Sequence, residues 1–74
     1  MIARYVIKSD VGQEIKVKYK ERWLADKIGL SYGYISLLIS GKKHCRKRIA
    51  YSFAKAIDPE AEIEDYFDII KEDN

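Results

Sequence analysis

The sequence predicts a mostly α fold: a compact helix-turn-helix domain of about four helices with a β-hairpin at its N-terminus. Three patterns carry that prediction. Glu21–Gly41, ERWLADKIGLSYGYISLLISG, places Leu24, Ala25, Ile28, Leu30, Ile35 and Leu38 where two short helices crossing at a steep angle need apolar residues. Ile49, Ala50, Phe53, Ala54 and Ile57 then fall at i, i+1, i+4, i+5 and i+8, one broad buried stripe of a further helix. Ahead of both, residues 2–8 and 15–19 alternate with a period of two on either side of a turn.

In the N-terminal segment, IARYVIK puts Ala3, Tyr5 and Ile7 on one face, and IKVKY sets Ile15, Val17 and Tyr19 against Lys16 and Lys18. Asp10 and Gly12 lie between and are good turn formers, which gives a hairpin over residues 1–19. The competing reading makes Ile2–Lys8 a short helix with Ile2, Val6 and Ile7 inward. An isolated hairpin is marginal in water, so it must lean on the helices that follow. Lys16, Lys18 and Lys20 then form a charged edge that discourages aggregation.

The helix-turn-helix covers residues 20–41. Gly29 permits the left-handed backbone that ends a helix abruptly, Leu30 turns into the core, and Ser31 is a good N-cap for a second helix, Ser31 to Ser40. A larger side chain at Ala25 would hold the two helices apart. Trp23 is read as packing against the hairpin. Gly41 closes the second helix, and the next runs over 45–57. Asp58-Pro59-Glu60 reads as a helix start, with an acid at the cap and proline at the first position. It opens an acidic helix over 58–72 with Ile63, Tyr66, Phe67 and Ile70 inward; Ile69 widens that stripe in a way that suits a homodimer through the last helix. The whole chain, 1–74, is one domain.

Seventy-four residues provide one modest core, and a chain this short buries only roughly 60% of the surface its unfolded form exposes. One cysteine, Cys45, rules out an internal disulfide framework, and the single His44 beside it supplies no zinc ligand set. No cofactor and no metal site are expected. No apolar run approaches the roughly 20 residues that span a bilayer, and no signal-peptide core stands at the N-terminus. The expectation is a cytoplasmic protein without a membrane partner.

Charge is divided along the chain. Residues 1–57 carry 13 Lys/Arg against 4 Asp/Glu, a balance of +9, while residues 58–74 carry Lys71 against 8 acids, a balance of −7. The first part can approach a polyanion, and the second would be repelled by one. An enzyme is not expected: the only histidine and cysteine are adjacent, the acids crowd one segment, and no phosphate-binding glycine loop is present.

The spaced pattern of Glu21–Gly41 resembles the helix-turn-helix of the lambda-repressor-like group, which includes phage repressors and Cro-type proteins. Counted from Glu21, small residues stand at the fifth and ninth places (Ala25, Gly29). Apolar ones stand at the fourth, eighth, tenth, fifteenth and eighteenth (Leu24, Ile28, Leu30, Ile35, Leu38), and the basic loop after Gly41 matches too. The resemblance covers about residues 20–70. It departs at the N-terminus, where the group has a helix and the alternation here predicts a hairpin. YISLLISGKK, AYSFAKAI and the acidic DYF ending are also similar to small prophage regulators of the modulator-of-repression (antirepressor) type.

The resemblance implies a small phage- or prophage-type transcription regulator whose second motif helix enters the major groove of double-stranded DNA. Carried over by position, Tyr32, Gly33, Ser36 and Leu37 face the bases, and Ser31, Tyr34, Ser40, Lys42 and Lys43 lie nearer the backbone. Arg46, Lys47 and Arg48, at the start of the next helix, suit a phosphate.

The side chains themselves complicate that. Ser31–Ser40 has no Arg, Lys, Asn or Gln, the groups that usually read bases. Glu21 stands where the family often places a phosphate-contacting glutamine and would repel the backbone. Tyrosine-rich, weakly charged surfaces are typical protein anchors. The alternative is therefore an antirepressor gripping a cognate phage repressor through Tyr32, Tyr34 and Leu37, or through Glu64 and Asp68 of the acidic segment. The blander readings are a solvated basic face at Lys42–Arg48, an ordinary thiol at Cys45 and a merely soluble acidic helix.

Overall fold

The structure is a computed structural model that describes residues 2–72. The elements run β1 (Ile2–Ile7), α1 (Ser9–Lys18), α2 (Glu21–Ile28), α3 (Tyr32–Ile39), α4 (Lys47–Ile57), α5 (Ile63–Tyr66) and β2 (Phe67–Glu72). The fold is mostly α with a two-stranded antiparallel sheet. Both ends of the described chain form that sheet: Ile2 pairs with Glu72 and Ile7 with Phe67.

The helix-turn-helix forms as its spacing requires. Gly29 adopts φ 86° and ψ 30°, and its amide donates to the Ala25 carbonyl at 2.8 Å, closing α2. Ser31 caps α3, its hydroxyl oxygen accepting from the Tyr34 amide at 3.2 Å. Leu24, Ala25, Ile35 and Leu38 are buried, with Phe53 and Ala50 of α4 completing the center of the core.

The N-terminal strand exists, but its partner is not residues 15–19. Residues 15–18 end α1 and Tyr19 is its extended C-cap, so the chain does carry a helix ahead of the motif, and neither the local hairpin nor a helix over Ile2–Lys8 forms. The physical reason lies in which face is covered. Gly12 and Ile15 are buried and Val11 and Tyr19 pack against the core, a helical spacing, whereas Val17 is 87% exposed. A strand would have buried Val17 together with Ile15. The Lys18 ammonium donates to Glu14 at 2.7 Å, an i,i+4 pair only a helix brings together. That bond raises the Lys18 pKa. Gly12 serves close packing instead of a turn: a Cβ there would run into the Ile39 carbonyl of α3.

The acidic segment is corrected likewise. Asp58 does not start a helix; its carboxylate accepts from the Glu60 amide at 3.0 Å and its carbonyl from the Ala61 amide at 2.9 Å, making a turn. The helix begins later, capped reciprocally by Glu62 and Asp65, and lasts four residues. Phe67 then leaves it as the first residue of β2, with its ring edge-on to Phe53 at 5.5 Å. Ile69 lies in β2 opposite Tyr5, 51% exposed, so the apolar helical stripe that suggested a homodimer through the last helix does not exist. Asp73, counted with the acidic segment, lies outside the described residues.

Trp23 has no hairpin to pack on. It stacks on Tyr19 at 5.6 Å, with the Lys27 ammonium 4.9 Å from its ring center, and stays 42% exposed. No helix of the described residues is long and apolar enough to cross a membrane.

Candidate nucleic-acid interface

The surface in question is built on α3 and on the loop between α3 and α4. α3 presents Tyr32, Gly33 and Leu37 to solvent, with Ser31 exposed at its start and Ser40 at its end. Ser36 and Tyr34 are half-buried. The Ser40 hydroxyl donates to the Leu37 carbonyl at 3.0 Å, which leaves its oxygen as an acceptor facing outward. Thus Tyr32 and Leu37 are the large exposed groups of the helix, 51% and 42% accessible.

Tyr32 and Tyr34, two residues apart, sit in different surroundings. Tyr32 lines one concavity with Lys16, Lys18, Lys20, Glu21 and Arg22 at the α1–α2 corner, and the Arg22 guanidinium lies 5.8 Å from its ring center. Lys16, Lys18 and Lys20 are therefore not the edge of a strand. Glu21 is the only acid among the residues lining this concavity, and its Oε2 is buried without a hydrogen-bond partner. Tyr34 lines a second concavity of about 620 Å³ together with Arg4, Lys43, His44, Cys45, Arg46, Arg48 and Ile49. The Lys43 ammonium is 5.4 Å from the Tyr34 ring center. Burial raises the Tyr34 phenol pKa and the nearby Arg4 charge opposes that rise, so the hydroxyl is a neutral donor at pH 7.

The loop that carries these cations is fixed by the sheet. Cys45 forms a β-bridge with Tyr5 of β1 and is buried, the residue before the helix start instead of within it. Burial pushes its thiol up to about 11. α4 begins with Arg46 as its N-cap residue, without a side-chain cap bond, and with Lys47 and Arg48 exposed in the first turn. Three cations at the positive end of a helix dipole are unfavorable for the isolated protein and favorable once an anion is present.

Of the residues expected at the interface, Ser31, Tyr32, Gly33, Leu37 and Ser40 share the outer side of α3 or its ends, and Lys43, Arg46 and Arg48 converge beside Tyr34. Lys42 and Lys47 are exposed but line neither concavity. Glu64 and Asp68 do not join the tyrosines: Glu64 lines a concavity with Lys47, Tyr51 and Lys55 of α4, and Asp68 pairs with Val6 across the sheet. Sequence reasoning missed Arg4, which no local spacing could connect with Lys43. Among the described residues no group of three or more His, Cys, Asp or Glu is placed to hold a metal ion. No family model, curated protein or solved structure matches the chain.

Proposed function

We propose that the protein is a small cytoplasmic transcription regulator, of the phage or prophage kind, that binds duplex DNA through α3. The observation that carries this reading is the placement of α3 between two basic concavities, one at the α1–α2 corner and one at the α3–α4 loop. A helix lying in a major groove has a phosphate backbone on each side, and cations on both flanks suit that geometry. Tyr32 and Ser36 hydroxyls and the Leu37 methyls, available to a thymine methyl, would meet the base edges. Titration with duplex DNA at several salt concentrations tests it. Lys43→Ala should weaken binding at every sequence and reduce the log–log salt slope by about one unit. Wild-type protein that binds no duplex even at low salt ends the reading.

A second reading is favored by one feature: α3 exposes Tyr32 and Leu37 and carries none of the usual base-reading groups. In it, α3 grips a partner repressor and controls that partner's access to DNA. Co-elution with the cognate repressor, abolished by Tyr32→Ala with Leu37→Ala, supports it. A complex that survives both changes and also Glu64 and Asp68 charge reversal rejects it.

A further inference from the structure

We propose that the protein forms a two-fold symmetric dimer through the outer edge of β2, with Ile69 paired against its own counterpart in a second copy. The dimer is independent of what α3 binds. Its basis is the direction of the backbone groups in β2. The Tyr5 amide and carbonyl both bond Cys45, so they point away from β2. Tyr5 stands opposite Ile69 in the antiparallel ladder, and two residues directly opposite exchange both bonds or neither. The Ile69 amide and carbonyl therefore point to the outer edge of the sheet. No described residue meets them there: the sheet has two strands, and the bridge to Cys45 lies on the far side of β1.

Ile69 shares its sheet face with Tyr5, Ile7 and Phe67, because residues opposite in a ladder or two apart in a strand point the same way. Those three are buried at 8%, 5% and 3%, whereas Ile69 is 51% exposed, so the core-facing row ends on an uncovered apolar residue. An open strand edge with an exposed isoleucine near its middle is a template for another strand. A second copy fits this edge because the same six residues can meet their own charges without a clash. In an antiparallel two-fold pair one position lies opposite itself. Centering on Ile69 sets Asp68 opposite Ile70 and Phe67 opposite Lys71, with no like charges face to face. Centering on Asp68 would oppose two aspartates, and centering on Ile70 would oppose Asp68 and Glu72; both are destabilizing. Pairing about Ile69 makes one four-stranded sheet, covers each isoleucine with the other, and uses up the open edge of β2, so assembly closes at two copies. One strand edge and one apolar pair make a small interface, and the dimer is accordingly transient.

Sedimentation equilibrium of the full chain over a wide concentration range tests this and should show monomer passing to dimer with no larger species. Ile69→Lys, at a position already open to solvent in the monomer, should keep the circular dichroism of the fold and raise the dissociation constant roughly tenfold or more. In wild type the Ile69 amide should exchange more slowly as concentration rises, a readout that needs no variant to fold. Ile69→Cys should cross-link to a covalent dimer under mild oxidation, since opposite Cα atoms in such a bonded pair stand about 5.5 Å apart, within disulfide reach. Ile70→Cys and wild type, whose Cys45 is buried, should not. A protein that stays monomeric at every concentration, with an Ile69 amide exchanging at a constant rate, overturns the proposal. So does a dimer that Ile69→Lys leaves intact, or one that cross-links through Ile70→Cys and not through Ile69→Cys. Assemblies that keep growing with concentration overturn the closed two-fold arrangement.

Discussion

Tyr5 and Cys45 exchange two backbone hydrogen bonds, the Tyr5 amide donating to the Cys45 carbonyl at 2.7 Å and the Cys45 amide to the Tyr5 carbonyl at 2.8 Å. This single bridge ties the terminal sheet to the loop that carries the basic residues. It also leaves the Cys45 side chain only 2% exposed, among Tyr5, Ile35 and the other core residues.

Burial should therefore make the thiol inert and couple it to stability. The folded pKa of about 11 lies above the ordinary value of 9.0, because the charged thiolate would lose its hydration. Between those values the unfolded chain has released its proton while the folded chain has not, so stability falls as pH rises from about 9 to 11 and is unaffected below 9. Cys45→Ala should cost about 1–2 kcal/mol at pH 7 by leaving a small void, and the gap between it and wild type should narrow above pH 9. Urea melts of both proteins at pH 7.5 and pH 10.5 measure this. A gap of the same size at both pH values, or rapid alkylation of the folded wild type at pH 8, contradicts it.

Gly12 sets how closely α1 can approach α3. A Cβ built there falls well inside contact distance of the Ile39 carbonyl oxygen, a backbone atom that cannot swing aside. Gly12→Ala gains helix propensity of roughly 1 kcal/mol and must still push the two helices apart. We expect a net loss of about 1–3 kcal/mol, because repositioning backbone in a packed core costs more than propensity returns. Such a loss lowers Tm by several degrees, at about 4–8 °C per kcal/mol for a domain this small. Thermal melts followed by circular dichroism decide the sign; a variant as stable as wild type means the helices separate without penalty.

The sequence made legible what local periodicity encodes. The spacing of Leu24, Ala25, Ile35 and Leu38 places them in the core, where they lie, and likewise Gly29 in the left-handed turn and Phe53 in the next helix. What stayed hidden were choices made by distant partners. Ile15, Val17 and Tyr19 alternate as well as any strand, yet Ile15 and Val17 lie in α1, which packs against α3, and Tyr19 is its extended C-cap. Phe67–Glu72 carries a mixture of helical spacing and β-branched residues, and the edge of β1 decides in favor of a strand. The Tyr5–Cys45 bridge likewise brings Arg4 into one concavity with Lys43, a neighborhood that spacing along the chain does not encode. The local signals for α1 are the i, i+4, i+8 spacing of Val11, Ile15 and Tyr19 and the Glu14–Lys18 pair, with Asp10 early and Lys16 and Lys18 late in the segment.

The C-terminal strand depends on Phe67, whose ring meets Phe53 edge-on at 5.5 Å while its backbone pairs with Ile7. Phe67→Ala removes that contact and leaves a void beside the most buried aromatic ring of the core. At about 3–5 kcal/mol for a buried Phe→Ala change, against a total stability of roughly 4–11 kcal/mol for a chain of this length, the variant should lose a large share of its stability and melt at a much lower temperature. Phe67→Leu keeps most of the volume and should retain the fold with a lower Tm. Amide exchange at Lys8, whose N–H donates to the Tyr66 carbonyl at 3.0 Å beside the start of β2, separates the two: protection lost in Phe67→Ala and kept in Phe67→Leu. Full protection in Phe67→Ala would mean that β2 is held by something other than this ring.

Arg46 offers a direct contest between folding and binding. It occupies the N-cap position of α4, φ −88° and ψ 169°, where its side chain makes no cap bond and its charge opposes the helix dipole. Aspartate there would accept from a first-turn amide and reverse that charge, so Arg46→Asp should stabilize the protein by about 1–2 kcal/mol. Serine would supply the cap bond without the negative charge and give a smaller gain. Under the DNA-binding reading the same two changes should weaken duplex binding, lowering the salt slope by about one unit for Arg46→Ser and about two for Arg46→Asp. Tm and salt-titrated affinity, measured on the three proteins, should therefore move in opposite directions. If Arg46→Asp raises Tm and leaves the salt slope untouched, phosphates do not reach the start of α4; if it lowers Tm, an aspartate at this position does not cap α4.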